Sequence, residues 1–331
     1  VRGKRRIKVI LDTNIWTYLA QSKAFDKLVS QAYLNSIDIV VPPTVVTELR
    51  AIGNASLRRV ALEGVTREQW SRSMSEAYSE CMEIKSEIAR LRPHWLVANP
   101  NYVEFNRLRY DWIRRKGGFW ERARNETEDR VTDESVRADR ELLLARKQSY
   151  EIRGRLKDEK QQLDVDLSDV GWQPDASEPG YRGFPVHYWR AQSLVHYSRE
   201  LMYYTSPYRE WLDNEIDVFS MLSDRASMNS LWWYEMDPAR IPRQWLRSAF
   251  EFLQCWKRVT DGTPGDSSLA SYLVEAEFVV SADKNLCLFA NKCNEQAPFK
   301  CARAIRVSGG ESGVNELFQI FHELNITMQR V

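Results

Sequence analysis

Read for its apolar and polar positions, the chain has two ends in one style and a middle in another. Residues 7–11 form a short apolar run broken only by Lys8, which predicts a buried strand, and helical spacing takes over from about Ile15. A second helix is expected over 24–34. Ile37-Asp38-Ile39-Val40-Val41 is short and β-branched, so it predicts another strand. Pro42-Pro43 ends that strand, and Thr44 is placed to cap a helix through Val45, Val46 and Leu49. The alternation resumes near the other end. Gly262, Pro264 and Gly265 mark a loop, and Asp266 stands where an N-cap belongs, before Leu269, Ala270, Leu273 and Val274. Strands are expected over 278–280 and 304–307, a helix over 284–290, and a last helix after Gly309-Gly310. Between these ends strand signals are few. Helices are expected over 67–91, 101–115, 189–221 and 242–256, with a charged run over 119–163 and a loop over 164–185.

This pattern predicts an α/β fold: a mostly parallel central sheet flanked by helices, interrupted by a large all-α insertion. The expected division is 1–55 and 260–331 for the two parts of the α/β domain, with 56–259 as the insertion.

Composition changes the picture mainly by exclusion. Lys+Arg 47 against Asp+Glu 46 leaves a formal charge of +1, so net charge by itself selects no polyanionic partner. No stretch approaches the roughly 20 apolar residues of a membrane span. The basic start (Arg2, Lys4, Arg5, Arg6, Lys8) enters a strand too soon for a signal peptide. The expectation is a cytoplasmic protein without membrane association. The cysteines, Cys81, Cys255, Cys287, Cys293 and Cys301, have no common zinc spacing, and their odd number suits a reducing compartment. They are expected to be buried thiols. His94, His187, His196 and His322 are scattered, and no nucleophile elbow or phosphate-binding loop is present.

The candidate chemistry lies at the strand ends. The run VILDTN drives a buried strand straight into Asp12, and in open parallel sheets functional groups gather outside the carboxyl ends of strands. Glu48 follows the second strand, on the next helix. Asp266 opens the helix before the third strand, and Asp283 follows that strand in VVSADKN. Four acids from four places are thus expected on one side of one sheet. Carboxylates held close repel each other unless a cation compensates. Oxygen-only ligands favour Mg²⁺ or Mn²⁺, and such a site suits phosphodiester hydrolysis.

The segments ILDTNIW, VVPPTVVTELR and GDSSLASYLVEAEFVVSADKNL resemble the PIN-domain nucleases. The resemblance covers roughly residues 7–55 and 260–325. Asp12, Asn14, Glu48, Asp266 and Asp283 match the family pattern position by position, while the long separation of Glu48 from Asp266 departs from its compact members. The resemblance implies a metal-dependent endoribonuclease, often a toxin or an RNA-processing enzyme, with Asp12, Glu48, Asp266 and Asp283 as catalytic metal ligands. Asn14 and Ser281 would support them with hydrogen bonds. Related folds cut DNA.

Each residue also has a plainer reading. Asp12 and Asp266 are placed to cap helices, with Asp261 as a rival to Asp266; Glu48 is placed to pair with Arg50; Asp283 is placed to begin a turn. The aromatic stretches LVHYSRELMYYTSPYREWL and NSLWWYEMDPARIPRQW offer rings for stacking on unpaired bases, for packing a helical core, or for docking an inhibitor or other partner protein. Two functions are therefore carried forward: an RNA-cleaving enzyme, and a catalytically silent binding module acting through its helical surface.

Overall fold

The computed structural model describes residues 5–125, 166–256 and 263–329, with residues 143, 144, 147, 150 and 151 between the first two segments. Arg2, Lys4, Asp261, Gly262 and most of the charged run beyond Asn125 lie outside the described residues.

The centre is a five-stranded, all-parallel sheet in the order β3-β2-β1-β6-β7. Its strands are β1 (Ile7–Leu11), β2 (Ile37–Val41), β3 (Ser71–Arg72), β6 (Phe278–Ser281) and β7 (Arg303–Arg306). β1 pairs with β2 through Ile10 and Val40, and with β6 through Leu11 and Val280. Both strands from the N-terminal end therefore join both strands from the C-terminal end in one sheet. Four of the five β1 residues are buried, as expected of a central strand covered by helices.

Helices α1 (Thr13–Gln21), α2 (Phe25–Leu34), α3 (Pro43–Arg50) and α4 (Ala55–Val65) follow the first two strands. α1 packs against α3, α4 and the last helix, α15 (Gly310–Gln329). Trp16 locks α1 to the sheet. It is fully buried, its indole N–H donates to the Leu11 carbonyl at 3.0 Å, and its ring packs against Phe25 and Trp70. α3 begins at Pro43, whose fixed φ and missing N–H suit a first helical position, so Thr44 lies inside the helix instead of capping it.

The stretch expected to be all-helical is not so. It supplies β3, which bonds to β2 through Val41 and Arg72, and a two-stranded antiparallel ladder of β4 (Gly171–Trp172) and β5 (Val186–His187). Two-residue strands carry no readable period, so the apolar pattern missed them. The helix expected from residue 67 starts at Glu76 as α5 (Glu76–Leu91), where Ser75 caps it by accepting from the Tyr78 N–H. After α6 (Tyr102–Ile113) and α7 (Phe119–Arg124), the helix expected over 189–221 is three: α8 (Tyr188–Met202), α9 (Pro207–Leu212) and α10 (Val218–Ser223). Ser206 and Asp217 cap the second and third, and Pro207 sits at a first position. α11 (Arg225–Ser230) and a π turn at Leu231–Glu235 lead to α12 (Pro242–Cys255), α13 (Thr263–Ala270) and, after β6, α14 (Lys284–Gln296).

The aromatic stretches are mostly core. Trp211, Trp232, Trp233, Trp245 and Tyr208 are buried, whereas Tyr203 and Tyr204 are 63% and 80% exposed. All five cysteines are buried thiols. Among the described residues, no helix is long and apolar enough to cross a membrane.

Candidate active site

Asp12 leaves β1 directly into α1 and caps that helix: its Oδ1 accepts from the Thr13 N–H at 2.7 Å. Its second oxygen is held from two sides. Asn14 Nδ2 and Ser281 Oγ each donate to Asp12 Oδ2 at 2.5 Å. Ser281, the last residue of β6, also accepts from Asn14 Nδ2 at 3.1 Å and from the Asp283 N–H at 2.9 Å. Asn14 Oδ1 in turn accepts from the Ala282 N–H at 3.1 Å. The β1–α1 and β6–α14 turns are therefore tied into one unit around Asp12.

Asp283 caps α14, with Oδ1 accepting from the Asn285 and Leu286 N–H groups at 2.6 and 2.9 Å. Its capping role and its place at the edge are compatible, because the carboxylate itself stays exposed. Glu48, in the last turn of α3, reaches back to α1, where the Thr13 hydroxyl donates to its Oε2. Its other oxygen lies against Gly265 of α13. A methyl group built there would overlap Oε1 and sit 2.7 Å from Cδ. The absent side chain at Gly265 is thus what lets α13 approach Glu48. Asp266 follows, within the first turn of α13. It does not stand at the N-cap, because the helix begins at Thr263; Gly and Pro are tolerated in a first turn, where N–H groups have no helical partner.

The electrostatics bind the four acids into one group. Burial raises Asp12 above its ordinary range, and the charge of Asp283 adds to this; the offsetting groups are the neutral donors Ser281, Thr13 and Asn14. Burial and then Asp12 push Glu48 up to about 7, against the Thr13 hydroxyl. Burial raises Asp266 well above the usual carboxylate range, and Asp12, Glu48 and Asp283 each push it further. Asp266 thus lies within the field of the other three acids, Asp12 within that of Asp283, and Glu48 within that of Asp12.

Thr13 was not singled out from the sequence, and Gly265 was read only as a loop marker, although each adjoins an acid that was. Cys287, expected as a buried thiol, is one. It lies close enough to Asp12 and Asp283 for them, after burial, to push its thiol up to about 12, which makes it a neutral neighbour and a poor ligand.

Among the described residues, no group of three or more His, Cys, Asp or Glu side chains is placed to hold a metal ion. The donor chemistry nevertheless fits a hard divalent cation. The oxygens are carboxylate, three of the four acids are raised by burial and mutual repulsion, and a bound cation would relieve both effects. A cavity of about 650 Å³ opens elsewhere, bordered by Trp172, Tyr188, Met202, Met228 and Trp233, and none of the four acids lines it.

No family model, curated protein or solved structure matches the chain.

Proposed function

We propose that the chain is a metal-dependent phosphodiesterase of the PIN nuclease type, an endonuclease acting on RNA. The observation that carries this reading is the convergence of Asp12, Glu48, Asp266 and Asp283 from four separate segments at one edge of a parallel sheet, with burial and repulsion opposed mainly by neutral donors. Mg²⁺ or Mn²⁺ would be held by these four carboxylates. Bound there, it would make water a better nucleophile and steady charge on the entering and leaving oxygens.

The chain's own residues would do the rest. Asn14 and Ser281 fix Asp12 Oδ2 in direction, and the Thr13 hydroxyl fixes Glu48, so two ligands are aimed before substrate arrives. Asp283, exposed at the rim, is the acid nearest to solvent and to an incoming phosphate. If water attacks phosphorus and the 3′ oxygen leaves with a proton, hydrolysis would give a 5′-phosphate and a 3′-hydroxyl.

The test is to incubate labelled single-stranded RNA and DNA with the protein in Mn²⁺ or Mg²⁺, beside Asp12→Asn. Cleavage by the wild type and its loss in the variant is the expected result, with RNA the better substrate. Equal inertness of the two proteins with each metal and nucleic acid would instead favour the silent binding module, and preferential cutting of DNA would move the substrate class.

A further inference from the structure

The helix that carries Asp266 is poor at holding itself. The sequence of α13, TPGDSSLA, spans only eight residues, too few for a helix to be stable without packing partners. Both serines turn toward the insertion. The Ser267 hydroxyl, buried, donates to Gln254 Oε1 on α12 at 2.8 Å, and the Ser268 hydroxyl donates to Glu76 Oε2 on α5 at 3.0 Å.

Behind these contacts lie two complementary stripes. On α5, Glu76, Glu80, Glu83 and Glu87 recur at helical spacing and share one face; on α12, Arg243, Arg247 and Gln254 do the same. The guanidinium of Arg247 bonds to Glu76 and lies 3.1 Å from Glu80. Arg243 pairs with Glu83 at 2.9 Å and Glu275 at 2.8 Å, and donates to the Ser271 carbonyl, just past α13, at 2.8 Å. Glu80 is fully buried and also accepts from Tyr208 Oη, at 2.8 Å, and from Gln244. Side chains in such a network are fixed in direction, because each has more than one partner.

We propose that Glu76 and Arg247 are positioning residues for the carboxylate site: through Ser268 they pin α13 from behind and set where Asp266 stands. This rests on the metal-site reading above. The insertion is then a structural part of that site, since α5 and α12 both belong to it.

The experiment measures Mn²⁺ affinity by electron paramagnetic resonance of the free ion, and kcat and KM on RNA separately, for wild type, Ser268→Ala, Glu76→Gln and Arg247→Lys. Thermal melts identify the folded fraction. Ser268→Ala is the decisive variant, because it removes the pin while leaving no charge unpaired. The expected result is an affinity loss of about tenfold in Ser268→Ala and Glu76→Gln, the scale typical of groups that orient ligands. kcat should fall with KM unchanged, and Arg247→Lys should retain part of the affinity. Ser268→Ala that is folded and binds Mn²⁺ like the wild type overturns the pin alone. A wild type whose Mn²⁺ binding is absent, or survives Asp12→Asn and Asp266→Asn, overturns the site reading and the pin with it.

Discussion

At the scale of single residues, Gly265 is where one methyl group would be felt most directly. A side chain there must displace the Glu48 carboxylate, whose Oε1 and Cδ occupy the space. Glu48 ends a flexible side chain, so the fold can yield while the aim of the ligand cannot. Gly265→Ala should therefore lower Mn²⁺ affinity about tenfold, a typical loss for a disturbed ligand, with a melting temperature close to wild type. Titration calorimetry beside a thermal melt reads both. Glu48 also gives a signed pH dependence. The unfolded chain loses this proton near 4.5, and the folded chain keeps it to about 7. Folding thus takes up a proton across that window, so the Glu48 contribution to metal-free stability should fall as pH rises from about 4.5 to 7 and then level. Asp12 and Asp266, also raised, act in the same direction. Glu48→Gln should flatten the slope in urea melts made with chelator present; an unchanged slope would mean that Glu48 is ionised in the folded protein. With Mn²⁺ present, binding should release protons, detectable as a heat that depends on the buffer.

At the scale of elements, α5 is joined to α12 by buried charge. Arg243 joins Glu83 of α5 to Glu275, which follows α13. Removing one partner of a buried pair leaves the other charged and unsolvated. Arg243→Ala should cost about 3–5 kcal/mol, seen as a lower urea midpoint. Replacing a buried ion pair by well-packed apolar groups is often neutral, so Arg243→Met with Glu83→Leu should recover much of the loss. Trp16 is the apolar counterpart in the other half. Trp16→Ala removes a fully buried ring and the hydrogen bond to Leu11, and should cost about 3–5 kcal/mol.

At the scale of the whole molecule, the insertion and the sheet are interlocked. β3 completes one edge of the sheet, α4 covers α1, and α12 packs against both α13 and α14, although β3 and α12 lie within residues 56–259 and α4 begins only one residue before them. A chain joining residues 1–55 directly to 260–331 should therefore lose cooperative unfolding, as monitored by circular dichroism and amide dispersion in NMR. A cooperative melt from that chain would show the insertion to be an appended module and would remove the structural basis for the pin on α13.

What the sequence determined by itself was local. β1 and β2 were legible because their apolar runs are bounded by sharp punctuation, Asp12 after one and Pro42-Pro43 after the other. The same reading placed Asp12 and Asp283 at strand ends, where each caps the next helix. Tertiary structure decided what has no local period or residue signal. β3 is a strand only because β2 offers Ser71 and Arg72 an open edge. Asp266 lies inside a helix because a first turn tolerates the glycine and proline that read as a loop. The glutamates of α5 read as part of an amphipathic helix, yet Glu80 is fully buried. Burying a carboxylate becomes tolerable only when a cation and fixed donors lie opposite it, and which helix supplies them is a fact of packing that no window along the chain contains.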